Sequence, residues 1–187
     1  GPALLGRDIL AIDGNCQTVQ NAVLKNTSAK AAAEIALYDL FAQQAGKPLY
    51  QVLGGGQPRL ITDLTISAND TATMLYDCES ALERGFTALK IKVGKDVGDD
   101  IARLQAIRRA VAGRASLRID ANQGWSAEQT ISVMHTLESG GEPFELIEQP
   151  VSAEDIQGLI KIRAGIKTPL LADESAFNLE QVRQLLA

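Results

Sequence analysis

From about residue 60 onward, short β-rich runs alternate one for one with longer amphipathic runs, and no other feature of the sequence limits the fold so strongly. The spacing predicts strands over 63–67, 88–93, 116–120, 144–148 and 170–172. Helices are expected over 71–84, 97–112, 126–139 and 152–163, with a last one starting near 178. The third of these helices carries a capping signal, Ser126 followed by Gln129. Each strand-plus-helix unit takes roughly 25–30 residues, which suits parallel strands joined by short crossovers. A (β/α) barrel and a doubly wound sheet both meet that description. No Gly-x-Gly-x-x-Gly follows the first strand, so the dinucleotide-binding version is disfavoured. Five strands fall short of the eight that close a barrel, so either the sheet is open or the chain stops early.

Ahead of the alternating region, residues 27–46 read as a helix. Thr27 and Ser28 offer N-caps, Ala31, Ala32, Ile35, Ala36, Leu40 and Phe41 recur at helical spacing, and Gly46-Lys47-Pro48 closes it. A short apolar piece, 49–53, leads into Gly54-Gly55-Gly56. These glycines could suggest a phosphate cradle, but no strand precedes them and no Lys-Ser/Thr follows; a C-cap and linker is the better reading. The expected domains are 1–57 and 58–187.

Apolar residues make up 45% of the chain, enough for a real core. The net charge is −5 with scattered basic residues, so no nucleic-acid footprint is present. No apolar run reaches transmembrane length and no secretory signal opens the chain. Cys16 and Cys78 are far apart and form no zinc-ligand spacing, which fits a reducing compartment. The expectation is a cytoplasmic protein with neither a nucleic-acid nor a membrane partner.

Polar residues stand at the C-terminal ends of four strands, where a barrel would gather them at one mouth. Lys90 and Lys92 share a face at i, i+2. Two ammonium groups held together would lower each other's pKa and favour a neutral amine base; the alternative is a pair of snorkelling surface lysines. Asp120, Glu148 and Asp173 would repel one another in a confined mouth, and a divalent cation resolves the repulsion. All-oxygen ligands point to a hard ion, Mg²⁺ or Mn²⁺; the alternative is that the acids merely cap the following helices. Together, lysine bases and a metal suit removal of a proton α to a carboxylate. The lysine takes the proton and the cation stabilises the charge that develops.

These motifs resemble the muconate-lactonising subgroup of the enolase superfamily. The resemblance covers nearly the whole chain: Ser28-Ala29-Lys30-Ala31-Ala32, Ala36-Leu37-Tyr38-Asp39-Leu40, Pro48-Leu49-Tyr50, Leu53-Gly54-Gly55, Lys90-Ile91-Lys92, Asp120-Ala121-Asn122-Gln123-Gly124-Trp125, Glu148-Gln149-Pro150 and Ala172-Asp173-Glu174-Ser175. It implies an α/β fold: a partial TIM-like (β/α) barrel of about five units preceded by the helical part of a capping domain. A lysine base with Mg²⁺ is the arrangement known for such sites. By resemblance, Asp120, Glu148 and Asp173 would bind Mg²⁺. Lys92 would be the acid/base on one face of the substrate, and Lys90 would tune it and help hold the substrate carboxylate. Asn122 and Glu174 would be supporting polar residues near the metal.

The first strand, Thr62-Asp63-Leu64-Thr65-Ile66-Ser67, and Asn122-Gln123-Gly124-Trp125 look like those of dipeptide epimerases, with Thr65 facing the substrate. The implied reaction is Mg²⁺-dependent epimerisation of an Ala-Glu type dipeptide through an enolate, in a protein expected to form homo-oligomers. Muconate or chloromuconate cycloisomerases and N-acylamino acid racemases or o-succinylbenzoate synthases share the lysine pair and the metal triad. A truncated homologue serving as a non-catalytic interaction module is a rival of another class. In the family a second lysine comes from a sixth strand and an acidic pair from an eighth, whereas this sequence reaches Ala187 within the expected fifth helix of the barrel. The chain by itself is therefore expected to be inactive, with a sheet edge and an apolar inner surface exposed. His135 and Arg108-Arg109 read as structural or surface residues, and Trp125 as either mouth-lining or packed on the third helix.

Overall fold

The computed structural model describes residues 2–56 and 60–186. The chain forms two compact units, Gly1–Leu60 and Ile61–Ala187.

The first unit is helical: a 3-10 turn at Pro2–Leu4, then α1 (Ile12–Ala22), α2 (Thr27–Gln44) and α3 (Leu49–Val52). α1 packs on α2, with Val19 and Ala42 buried and Gln20 hydrogen-bonded to Glu34 at 2.6 Å. Helix α1 was not foreseen, because Gly14 and a mostly polar run mask the short apolar period of Ile12, Cys16 and Val19. The expected caps of α2 are also corrected. Thr27 is already helical, and Asn26 holds the cap position in a left-handed conformation (φ 48°) with no side-chain cap bond. Its amide instead donates to the Leu24 carbonyl at 2.9 Å. The glycine run does end a helix, as read. Gly54, at φ 83°, follows α3, and the Gly55 N–H returns to the Tyr50 carbonyl at 2.6 Å.

The second unit runs β1 (Leu64–Ile66), α4 (Thr71–Glu83), β2 (Ala88–Lys92), α5 (Val97–Val111), β3 (Ser116–Asp120), α6 (Ala127–Glu138), β4 (Leu146–Glu148), α7 (Ile156–Gly165), β5 (Leu170–Leu171) and α8 (Leu179–Leu186). The strands pair in parallel in the order β1-β2-β3-β4-β5. A doubly wound sheet reverses its strand order part-way; this one never does, so it is an arc of a barrel.

Register explains the two faces. Leu64, Leu89 and Leu117 align across the sheet, as do Ile66, Ile91, Ile119 and Ile147. These side chains pack against Met74, Cys78, Leu104, Ile107, Val133, Met134 and Leu137 from α4, α5 and α6. Each Leu or Ile fully buried there contributes about 1.5–3 kcal/mol. Burial, then the charges of Asp77 and Glu79, push the Cys78 thiol up to about 11, so it behaves as a small apolar group. Alternation then sends Thr65, Lys90, Lys92, Arg118, Asp120, Leu146 and Glu148 to the opposite, inner face. That face is largely polar from β1 to β4, which narrows the expected apolar inner surface to Leu171, the exposed register partner of Glu148 on β5. Further exposed apolar side chains occur at and just before α8, at Phe177, Leu179 and Leu186.

Side chains cap most of these helices. Asp70 accepts from Thr73 N–H at 3.0 Å and Asp96 from Asp99 N–H at 3.0 Å. The Ser126–Gln129 capping box forms in both directions. Asp155 accepts from Gly158 N–H at 2.8 Å, so α7 starts later than its apolar pattern suggested. His135 is exposed on α6 with Nε2 2.7 Å from the Gly165 carbonyl oxygen, a structural role. Arg108 does more than meet solvent: it donates to the Leu137 carbonyl at 2.7 Å and lies over the Phe144 ring. No helix among the described residues is long and apolar enough to cross a membrane.

Glu138 ties the end of α6 to the approach of β5. Its Oε1 accepts from Lys167 N–H at 2.9 Å and from both Thr168 N–H and Thr168 hydroxyl at 2.8 Å. Burial alone would raise this carboxyl, but the Thr168 and Lys167 bonds outweigh it and hold it below its ordinary value. A depressed carboxylate stabilises the fold above the unfolded-state pKa and loses that effect as pH falls through the folded value. Glu138→Gln is therefore expected to cost about 1 kcal/mol at neutral pH, with the difference shrinking as pH falls through the folded-state value. Urea denaturation of both proteins across pH checks this; a difference independent of pH would refute it.

Candidate active site at the strand ends

The site is built from the inner-face residues nearest the C-terminal ends of the strands. Lys92 Nζ lies 2.6 Å from Asp120 Oδ2 and also donates to Asn122 Oδ1. Lys90 Nζ lies 3.3 Å from both Glu148 carboxylate oxygens and 3.4 Å from Asp120 Oδ2. Asp120 is almost fully buried and Glu148 nearly so, while the lysines remain partly exposed. Thr65 is Lys90's register partner on β1, exposed on the same face. The lysines are thus not surface snorkellers; they face acids on β3 and β4.

That arrangement corrects the expected depression of Lys90 by its neighbour. Burial would lower the Lys90 ammonium, but the hydrogen bonds and charges of Glu148 and Asp120 outweigh it and raise its pKa. Carboxylates, not the other ammonium, dominate its surroundings. Glu148 is raised first by burial and next by the charge of Asp120; Lys90 opposes this, and Asp173 adds to it. The crowding of acids is therefore real.

Two of the three proposed metal ligands, Asp120 and Glu148, are register partners and share Lys90. Asp173 follows β5, exposed, close enough for Glu148 to feel its charge. Among the described residues, no three Asp, Glu, His or Cys side chains stand close enough together to hold an ion. In donor chemistry the set still fits a hard cation: three carboxylates, mutually repelling, at successive strand ends. Glu174, half-buried, has its Oε2 buried without a hydrogen-bond partner.

The loops behind these residues are held tightly. Asn122 (φ 43°) and Gln123 (φ 64°) are both left-handed, a region that Asn tolerates better than most residues. The turn lets Asn122 N–H donate to Asp120 Oδ1 at 3.0 Å. Gly94 and Gly124 cross so closely that a Cβ on Gly124 would lie 2.3 Å from the Gly94 carbonyl oxygen. Beside this crossing sits Asp100, fully buried. Its Oδ2 accepts from Gly94 N–H at 2.8 Å and Trp125 Nε1–H at 3.3 Å, and its Oδ1 accepts from Arg103 Nη1 at 2.8 Å. Trp125 is thus packed in the core, which decides between its two readings. One layer deeper, Arg118 bridges Asp63 at 2.9 Å and Glu145 at 2.7 Å. Neither Asp100 nor Arg118 stood out in the sequence: Arg103 stands three positions from Asp100, but Gly94, Trp125, Asp63 and Glu145 are reached only through the fold.

A family model described as Enolase C-terminal domain-like matches residues 73–187, and one described as Mandelate racemase / muconate lactonizing enzyme, N-terminal domain, matches residues 1–54. The chain belongs to the enolase superfamily. Both parts of this superfamily chain have relatives among named epimerases. The L-Ala-D/L-Glu epimerase of Bacillus subtilis is 45% identical over 99% of the chain and 51% of the relative. A substrate-liganded structure of the Bacillus subtilis L-Ala-D/L-Glu epimerase superposes with a TM-score of 0.95 at 45% identity, over 99% of this chain and 52% of that one. The dipeptide epimerase of Cytophaga hutchinsonii, solved with Mg and the dipeptide D-Ala-L-Val, gives a TM-score of 0.90 at 38% identity, covering 98% of this chain and 50% of that one. The chain spans about half the length of the curated relatives it matches.

Proposed function

We propose that this chain supplies one face of the active site of a Mg²⁺-dependent dipeptide epimerase of the L-Ala-D/L-Glu type. The observation that carries the reading is the side-by-side placement of Lys90, Lys92, Asp120 and Glu148 on the inner face of the barrel arc. Asp120, Glu148 and Asp173 would hold Mg²⁺, and Mn²⁺ would suit the same donors. When bound, the cation supplies positive charge against the second negative charge that develops on a substrate carboxylate.

Lys92 is the acid/base. Its neutral amine takes the α-proton on one face of the substrate, and its ammonium returns one. Asn122 Oδ1 and Asp120 orient its Nζ. Lys90, kept protonated by Glu148 and Asp120, offers a fixed positive charge to the substrate carboxylate. Thr65 lines the same face one strand away, and Glu174 supports the far side of the acid cluster. Inversion needs an acid/base on the opposite face too, and none of these residues supplies it.

Proton exchange at Cα of the C-terminal residue of L-Ala-L-Glu, followed in D₂O by NMR, tests the proposal. A protein carrying this sequence within a whole barrel should exchange and invert that centre only with Mg²⁺ present; exchange that persists in chelator removes the metal from the mechanism. Turnover by verified 187-residue material would overturn the need for a second face.

A further inference from the structure

We propose that Gln149 is a positioning residue: its side chain ties the segment 172–175 to the end of β4 and so sets where Asp173 stands. The inference rests on the reading of Asp173 as a cation ligand, and it concerns what holds that residue in place.

β5 is only two residues long, Leu170–Leu171. Its last backbone rung to β4 is Gln149 N–H to the Leu171 carbonyl, at 2.9 Å. Among the described residues, no backbone pairing with β4 extends past Leu171. Asp173, Glu174 and Ser175 would be a free loop if nothing else reached them. The Gln149 side chain reaches them. It is fully buried, and its Oε1 accepts from Asp173 N–H at 2.9 Å and Ser175 N–H at 3.2 Å. Its Nε2 donates to the Val151 carbonyl at 3.0 Å and to Ser175 Oγ at 2.8 Å. Ser175 Oγ then donates to the Ala153 carbonyl at 2.8 Å.

All four hydrogen-bonding positions of the amide are filled, two by donors and two by acceptors. A carboxylate would turn an acceptor toward the Val151 carbonyl, and an apolar side chain would leave the two N–H groups and the carbonyl unpaired. The backbone supports the same reading. Gln149 sits at φ 32°, a left-handed conformation that non-glycine residues seldom adopt unless their surroundings over-determine it. Gln149 also follows Glu148 directly, so one short stretch carries one proposed ligand and places another. A side chain that orients a ligand through its backbone acts on metal affinity without touching the metal.

The test uses the 187-residue chain, with Gln149→Met as the near-isosteric loss and Gln149→Glu as the variant that keeps the acceptor. Hydrogen exchange of backbone amides by NMR is measured alongside Mg²⁺ titration by calorimetry. In the parent chain, the Asp173 and Ser175 amides should exchange about 100-fold more slowly than that of exposed Phe177. Free exchange there overturns the tether without any variant being needed. Gln149→Met should lose that protection while the amides of the β2–β3 ladder keep theirs, and Gln149→Glu, which keeps the Oε1 acceptor but sets its second oxygen against the Val151 carbonyl, should restore only part of it. Mg²⁺ affinity of Gln149→Met should fall about 10- to 100-fold. Unchanged affinity, or unchanged protection at the two amides, overturns the positioning role. A parent chain that binds no Mg²⁺ at all would instead count against the proposed function, and the amides would still decide the tether.

Discussion

Replacing Lys92 by alanine in a protein that carries this sequence within a whole barrel is expected to slow α-proton exchange by about 10²- to 10⁴-fold, the usual worth of a positioned acid/base. The loss should appear in kcat, because the amine acts in the proton-transfer step and the substrate carboxylate is met by other groups. Lys92→Arg keeps the positive charge beside Asp120 but not a usable base, so it should be nearly as slow. Lys90→Ala should behave differently and chiefly raise KM, since Lys90 is held protonated by Glu148 and Asp120. Exchange rates over a substrate series, measured in D₂O, separate the two. A Lys92→Ala protein retaining a tenth of the parent kcat would remove Lys92 from the proton transfer. Removing either ammonium also leaves a buried carboxylate less well compensated, so thermal unfolding belongs beside the kinetics.

Asp100→Ala is expected to destabilise the fold by about 3–5 kcal/mol, the range for breaking a buried charge pair. The carboxylate meets three donors at once, from Gly94, Trp125 and Arg103. Its loss leaves a backbone N–H and an indole N–H without their acceptor in the core, and leaves Arg103 with only its 3.4 Å contact to Asp99. Asp100→Asn keeps an oxygen acceptor but loses the charge, and about half the effect should remain. Gly94 follows β2 and Trp125 follows β3, so the same change loosens the two loops behind Lys92 and Asp120. Trp125 is the chain's one tryptophan, and its fluorescence reports on this node directly. Urea unfolding followed at that wavelength gives the magnitude; a cost below about 1 kcal/mol would show that the node is not what holds the loops.

Much of the barrel arc was legible because its signals are local. Alternating strand and helix runs, the Ser126–Gln129 capping box and the Gly54 helix stop each rest on residues a few positions apart. Helix α1 was not legible, since Gly14 and a mostly polar run dilute its short apolar stripe of Ile12, Cys16 and Val19, and its packing on α2 decides it. Lys90 and Lys92 could be placed on one face from their i, i+2 spacing alone, and the strand ends named Asp120, Glu148 and Asp173. Gln149 was visible as part of a motif, but its work was not. Nothing in Glu148-Gln149-Pro150 says that the amide reaches Asp173 and Ser175.

The sequence by itself determined which residue types stand at the strand ends and on which face they fall, because pleat alternation and helical period are properties of the local backbone. Tertiary structure alone decided how those residues act on one another. Lys90 looked, from its neighbour two positions on, like an amine pushed toward neutrality; Glu148, 58 residues away in the chain, lies 3.3 Å from it and reverses that. Charge interactions depend on distance through space, and only the pairing of β2 with β3 and of β3 with β4 sets that distance.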